Sequence, residues 1–356
     1  MTQFLPTKTT VMFGDELVAY GTQAATIQQC IGHVTSFSPR VSNGLFEHRG
    51  IGVGRNLDIM TYGPLDVDFS VDFEVGDFGF LKYLVGPIAG AGTTASKFTI
   101  TEADLIGITA ASQILPFSVQ AGSEAGTTDD VDTFTGCCAR SATINFAQGA
   151  PIRGTLSVIA QSVTSAASGA VGYGTYKYIG NTNSPAFIGT RPWIFQQAKL
   201  YFDTNATPTT QIAGVVSGNI TVDGDLKVFR SVGSRTIEQP QTGIRRYSFS
   251  FVTRMTDTIA TQIRDYMYGQ ANSPHGGVTS AQPNEGALKN LRLNIQEGSS
   301  SGDRTSDIIL DEIYIADMSK PVALGNEVVE VTFTGTASHA SGTSGSGVFC
   351  TFYTVT

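Results

Sequence analysis

The sequence is poor in charge, in cysteine and in long apolar runs, and each shortage excludes a class of protein. Only 15% of the 356 residues are charged, against roughly 25% in an average domain. Lys and Arg total 22 against 30 Asp and Glu, a formal net charge of −8. An acidic chain with no basic run is ill suited to gripping nucleic-acid phosphates. Four cysteines are too few for a disulfide framework in a chain this long. Cys137 and Cys138 are adjacent while Cys30 and Cys350 stand alone, a usage that points to a reducing, intracellular setting. The sequence contains no stretch of about 18 apolar residues, so no membrane-spanning helix is expected. Met1–Phe13 has one lysine and no continuous apolar core, unlike a secretory signal.

Chemistry-bearing patterns are also scarce. His33, His48, His275 and His339 show no metal-ligand spacing with one another or with cysteine. Gly50–Arg55 reads GIGVGR, yet no helical pattern follows it to aim amides at a phosphate. No G-x-S-x-G nucleophile elbow occurs. Asp66, Asp68 and Asp72 share one strand face, but alternate strand residues lie ~7 Å apart, too far for a calcium loop. Neither a catalytic group, a cofactor nor a metal site is expected, and the chain does not read as an enzyme.

What the sequence has is glycine, 40 residues, together with Thr, Ser, Val and Ile, a mixture for short strands and tight turns. It also has an internal repeat. Ile31–Gly52 (IGHVTSFSPRVSNGLFEHRGIG) and Ile212–Gly233 (IAGVVSGNITVDGDLKVFRSVG) agree at seven of 22 positions, Arg49 matching Arg230. Further on, DVDFSVDFE from Asp66 answers RRYSFSFVT from Arg245, and LPFSVQAGS from Leu115 answers LRLNIQEGS from Leu291. The repeat divides the chain into a first unit at 1–165, a Gly/Ser/Asn-rich linker at 166–196, a second unit at 197–338 and a terminal strand at 339–356.

Within each unit the pattern is mostly strand. Val67, Phe69, Val71 and Phe73 alternate with Asp66, Asp68, Ser70 and Asp72, as a half-buried strand requires. One helix per unit is expected directly after this strand. Asp77 would cap a helix carrying Phe80, Leu81, Leu84 and Val85, closed by Gly86. Thr256 or Asp257 would cap a second, carrying Ile259, Ile263, Tyr266 and Met267. The matched arginines Arg49 and Arg230 read either as structural ion pairs within each unit or as contacts repeated around an assembly.

Three functions compete on these residues: a self-assembling structural protein, a viral receptor-binding or capsid-decorating β module, and a glycosidase with paired carboxylates. The lone Trp193 is the one hint of a binding platform.

The passage His33–Val75 followed by FLKYLVG at Phe80–Gly86, repeated more loosely in the second unit, resembles the tail tube proteins of long-tailed bacterial or archaeal viruses. The resemblance implies an all-β fold with one helix per unit, two tandem tail-tube-like β-sandwich or barrel domains related by duplication. It implies stacked homotrimeric, pseudo-hexameric rings in a virion tail, assembled in the host cytoplasm, through which viral DNA leaves without specific binding. Tape measure, terminator and distal tail proteins are the implied partners. A long loop reaching the neighbouring ring would correspond to about Ser38–Tyr62 and Asn219–Gly243. This makes Glu47, Arg49, Arg55, Arg230 and Arg235 candidates for inter-ring or inter-subunit contact. Asp66, Asp68 and Asp72 are candidates to face the channel, where like charge keeps DNA from sticking. Residues 1–165 carry 8 basic and 15 acidic groups (−7) and residues 197–338 carry 12 and 15 (−3). The two units are therefore electrostatically unequal.

Overall fold

A computed structural model describes residues 9–48, 59–89, 96–110, 112–125, 128–166, 177–178, 191–203, 207–256, 289–298, 304–319, 329–339 and 348–354. The first half contains β1 (Thr9–Asp15), β2 (Gln29–Cys30), β3 (His33–His48), β4 (Ile59–Glu74), β5 (Ile88–Ala89) and β6 (Ser96–Thr101). It continues with β7 (Phe117–Ala125), β8 (Thr128–Ala147), β9 (Arg153–Ala160), β10 (Ser162–Ala166) and β11 (Lys177–Tyr178). The second half contains β12 (Ala198–Asp203), β13 (Val215–Asp223), β14 (Arg246–Arg254), β15 (Lys289–Gln296), β16 (Thr305–Ser319), β17 (Glu330–His339) and β18 (Val348–Thr354).

Six strands of each half pair in the same order. The first set runs β1–β7–β8–β9–β4–β3 and the second β12–β15–β16–β17–β14–β13, every pairing antiparallel. The irregularities coincide as well. Register shifts fall at Val34/Ser36 and Val215/Ser217, at Ala139/Ser141 and Ile315/Asp317, and at Phe117/Val119 and Lys289/Leu291. An extra residue re-aims a strand, so shared bulges mean shared bends. The long strands β8 and β16 each contain a left-handed residue, Gly136 (φ 62°) and Glu312 (φ 50°). At these points the two strands pass from one pairing set to the next. A Cβ on Gly136 would meet Gln161 Cβ at 2.6 Å, so glycine is needed there on two counts.

The strand face expected from alternation is observed. Val67, Phe69, Val71 and Phe73 of β4 are buried, as are Tyr247, Phe249, Phe251 and Thr253 of β14. All but Thr253 join Leu156, Val158, Ile144, Ile220, Val222 and Phe333 in one hydrophobic cluster that spans both sets. A second layer covers it with Phe13, Phe117, Val119 and Phe134 in the first half and Leu291, Leu293, Ile308 and Leu310 in the second. The result is a β-sandwich, aromatic-rich near β4, where Phe69 and Phe134 ring centroids stand 5.2 Å apart.

The expected helix per unit is not there. Among the described residues, helical structure is limited to two 3-10 turns, Gly79–Tyr83 and Phe195–Gln197. Phe78, Phe80, Leu81, Tyr83, Leu84 and Val85 are all buried, so the segment has no solvent side. An amphipathic helix needs one. Asp77 does cap, but locally: its Oδ1 accepts the Gly79 N–H at 2.8 Å and opens a tight turn. The second expected helix, from Asp257 to Gly269, lies outside the described residues.

The strand registers also adjust the repeat. Val67 and Tyr247 take corresponding places, so Asp66 falls level with Arg246, one residue from Arg245. Leu291 falls level with Val119, four residues beyond Leu115.

Candidate assembly surface

The two strand sets are joined edge to edge. β13 pairs β8 from Asp223↔Ser141 to Ser217↔Ala147. The Gly224 N–H donates to Arg140 O at 2.8 Å and the Gln148 N–H to Val216 O at 2.9 Å, extending the ladder at both ends. The Thr143 and Thr221 hydroxyls meet across it at 3.1 Å. On the core side Ala142 and Val222 close the joint, both buried.

The opposite face of this joined sheet is polar. It presents Asp66, Asp68, Ser70 and Asp72 from β4, Thr155 and Ser157 from β9, and Ser141 and Thr143 from β8. It continues through Thr221, Ser248 and Thr334 into the second set. Hydroxyl groups dominate, and Asp66, Asp68 and Asp72 each have a partner. Asp66 receives the Arg230 guanidinium. Asp68 lies 3.9 Å from the Arg40 guanidinium. Asp72 accepts the Thr155 hydroxyl at 2.7 Å.

The loop after β13 folds back on the first set. Lys227 and Gln241 exchange backbone hydrogen bonds at 2.8 and 3.0 Å, clasping the loop into a ribbon. Arg230 reaches Leu65 O at 3.4 Å as well as Asp66. Arg235 donates from Nε to Gly63 O and from Nη2 to Asn43 Oδ1, both at 2.7 Å. Its guanidinium sits over the Tyr62 ring, and its own carbonyl accepts the Leu65 N–H at 2.9 Å. Arg230 and Arg235 thus grip the β3–β4 hairpin of their own chain. Glu47 lies exposed near the tip of that hairpin, level with Met60. Arg49 and Arg55 lie outside the described residues. The hairpin leaves Val41, Leu45, Phe46, Met60 and Tyr62 exposed, an unusual concentration of large apolar side chains.

Other sites hold structure together. Trp193 is fully buried with the Arg304 guanidinium 3.8 Å from its ring centroid, so it is no exposed platform. Cys137 and Cys138 are free, buried thiols whose ionisation burial opposes, Cys137 beside the Glu16 charge. Sequence reasoning missed two buried polar clusters. Glu16 accepts the Ser118 hydroxyl and the Gly136 N–H, both at 2.8 Å, and burial raises its pKa. Lys82 donates to Asp15 at 2.9 Å beside Tyr83, with burial pulling its pKa down. A lysine inside FGFLKYLVG, among six apolar or aromatic neighbours, was the available signal. Asp77 is pushed up to about 7 by burial. Among the described residues no group of three or more His, Cys, Asp or Glu converges on a metal site.

A β-sandwich with a polar sheet face and a hairpin that exposes large apolar side chains offers surfaces for packing against other copies. A family model described as phage tail tube protein matches residues 6–337, and the chain belongs to that family. It is therefore a structural, non-enzymatic component of a viral tail that self-assembles into a tube. No curated protein matches the chain.

Proposed function

We propose that three copies of this chain close one ring of the tube, each supplying two tandem, duplicated β units. The units are 1–165 and 197–338, joined by the 166–196 linker and followed by a C-terminal arm at 339–356. The observation that carries the reading is the shared strand order of the two sets, with three bulges and one left-handed residue at matching places. Two such units per chain give six equivalent positions from three chains, a pseudo-six-fold ring.

In this reading the polar sheet face lines the channel. Its carboxylates Asp66, Asp68 and Asp72 and its hydroxyl rows repel or slip past a polyanion instead of holding it, so viral DNA passes without specific binding. The exposed β3–β4 tip, with Glu47 and the Arg49 and Arg55 segment beyond it, meets the neighbouring subunit or ring. Arg230 and Arg235 brace it from behind. Tape measure, terminator and distal tail proteins are the natural partners of the lumen and the two tube ends. Assembly takes place in the host cytoplasm, where the free thiols stay reduced.

Electron microscopy of the purified protein across a concentration series tests this. Hollow tubes or stacked rings with six-fold-like end views and three chains per ring are expected. Discrete unstacked particles at every concentration, or rings of six chains, would contradict it.

A further inference from the structure

The joint between β8 and β13 inside one chain has an exact counterpart in two edges left open. β13 corresponds to β3, because Val34/Ser36 and Val215/Ser217 carry the same bulge against β4 and β14. β8 corresponds to β16, because Ala139/Ser141 and Ile315/Asp317 carry the same bulge against β9 and β17. Among the described residues, β3 pairs only with β4. Tyr314–Ser319 of β16 pairs only with β17.

Burial shows what is missing. Val222 is 1% exposed in the joint while Val41, its counterpart on β3, is 50% exposed. Ala142 is 1% exposed in the joint while Met318, its counterpart on β16, is only partly buried. Positions with the same strand role differ in burial where a neighbouring strand is present in one case and absent in the other.

We infer that β16 of one chain pairs antiparallel with β3 of the next, reproducing between chains the joint that β8 and β13 make within one. The partner is a second copy of this chain, and the inference rests on the ring reading above. Transferring the β8–β13 register gives Met318 opposite Val41, Asp317 opposite Ser42 and Ser319 opposite Arg40. The chemistry of these pairs is consistent. Met318 and Val41 lie on the core side, since they pair Phe333 and Val67 within their own sheets. Asp317 and Arg40 become diagonal neighbours of opposite charge on the polar face, a favourable cross-strand arrangement. Pro39 offers no N–H, which costs the ladder one hydrogen bond but also discourages indiscriminate pairing of the exposed edge.

Disulfide trapping in assembled tubes tests the register. Directly opposed strand residues have Cα atoms about 4.5–5.5 Å apart, within reach of a disulfide. Met318→Cys with Val41→Cys is expected to yield, on oxidation, a covalent ladder ending at the trimer, while each single variant yields none. Ser319→Cys with Val41→Cys points its thiols to opposite faces and is expected to crosslink poorly. Equal crosslinking by both pairs would overturn the register. Hydrogen exchange on the unmodified chain gives a second reading, with residues 40–42 and 317–319 gaining protection on assembly. Tubes that form with neither crosslink nor protection would overturn the joint and leave the tube reading standing. A chain that forms no rings or tubes at all would overturn the tube reading itself.

Discussion

Val222 and Val41 hold the same place in two hairpins, yet one is sealed and the other half in solvent. Their own strands are alike: each pairs a buried residue of the following strand, Tyr247 or Val67. What differs is the strand on the far side, β8 in one case and nothing described in the other. Burial at this position is thus set by the neighbour and not by the hairpin. On the inferred pairing, a free monomer has one finished joint and one that a second chain completes.

Charge placed at the two valines separates these roles most sharply. Val222→Asp buries an unpaired carboxylate in the finished joint and should cost more than about 4 kcal/mol, enough to prevent folding. Val41→Asp should change monomer stability by no more than about 0.5 kcal/mol while abolishing tubes. Circular dichroism during denaturant unfolding and electron microscopy of the same preparations read both effects.

Asp77 lies just beyond β4 in the first set, with Oδ2 unpartnered and its pKa pushed up to about 7 by burial. The folded chain keeps a proton that the unfolded chain gives up near 3.8. Stability from this group is therefore complete below that value and falls as pH rises to about 7. Asp77→Asn, which retains the acceptor for Gly79, should add up to about 4 kcal/mol at pH 8 and almost nothing at pH 3.5. Urea unfolding at the two pH values checks the sign.

The loop after β13 offers a smaller contrast. Arg235 makes two hydrogen bonds and a ring contact with the hairpin, so Arg235→Ala should cost about 1–2 kcal/mol and speed amide exchange around residues 62–65. Arg230 pairs Asp66 in a more exposed setting, and Arg230→Ala should cost under about 1 kcal/mol. The smallest effect compares the two left-handed residues. Glu312→Gly relieves a side chain held at φ 50° and should raise the unfolding free energy by about 0.5–1 kcal/mol, whereas Gly136→Ala should lower it.

Much of the strand pattern was legible. Alternation in Asp66–Glu74 marked the buried face, and the match from Ile31 to Gly52 identified two hairpins that share a bulge. The 3-10 turn at Gly79–Tyr83 reads as a helix in the sequence because the apolar spacing of FGFLKYLVG suggests one with a water-facing side, and here every side is covered. The four-residue slip at Leu115 escaped notice because an even shift keeps the same side chains inward. The one-residue slip at Asp66 does reverse the faces, and it arose in a connection one residue shorter in the second half. The grip of Arg235 on Gly63 and Asn43 joins residues 172 and 192 positions apart, and no local pattern announces such a contact. Likewise Glu16 and Lys82 read as ordinary charges until their surroundings are seen.

Cryo-electron microscopy of assembled tubes, at a resolution that traces strands, tests the central claim most directly. The account predicts two kinds of sheet joint alternating around each ring, β8–β13 within a chain and β16–β3 between chains, with Asp66, Asp68 and Asp72 toward the channel. A ring in which the β3 edge stays open, or in which that polar face lies on the outside of the tube, would contradict it.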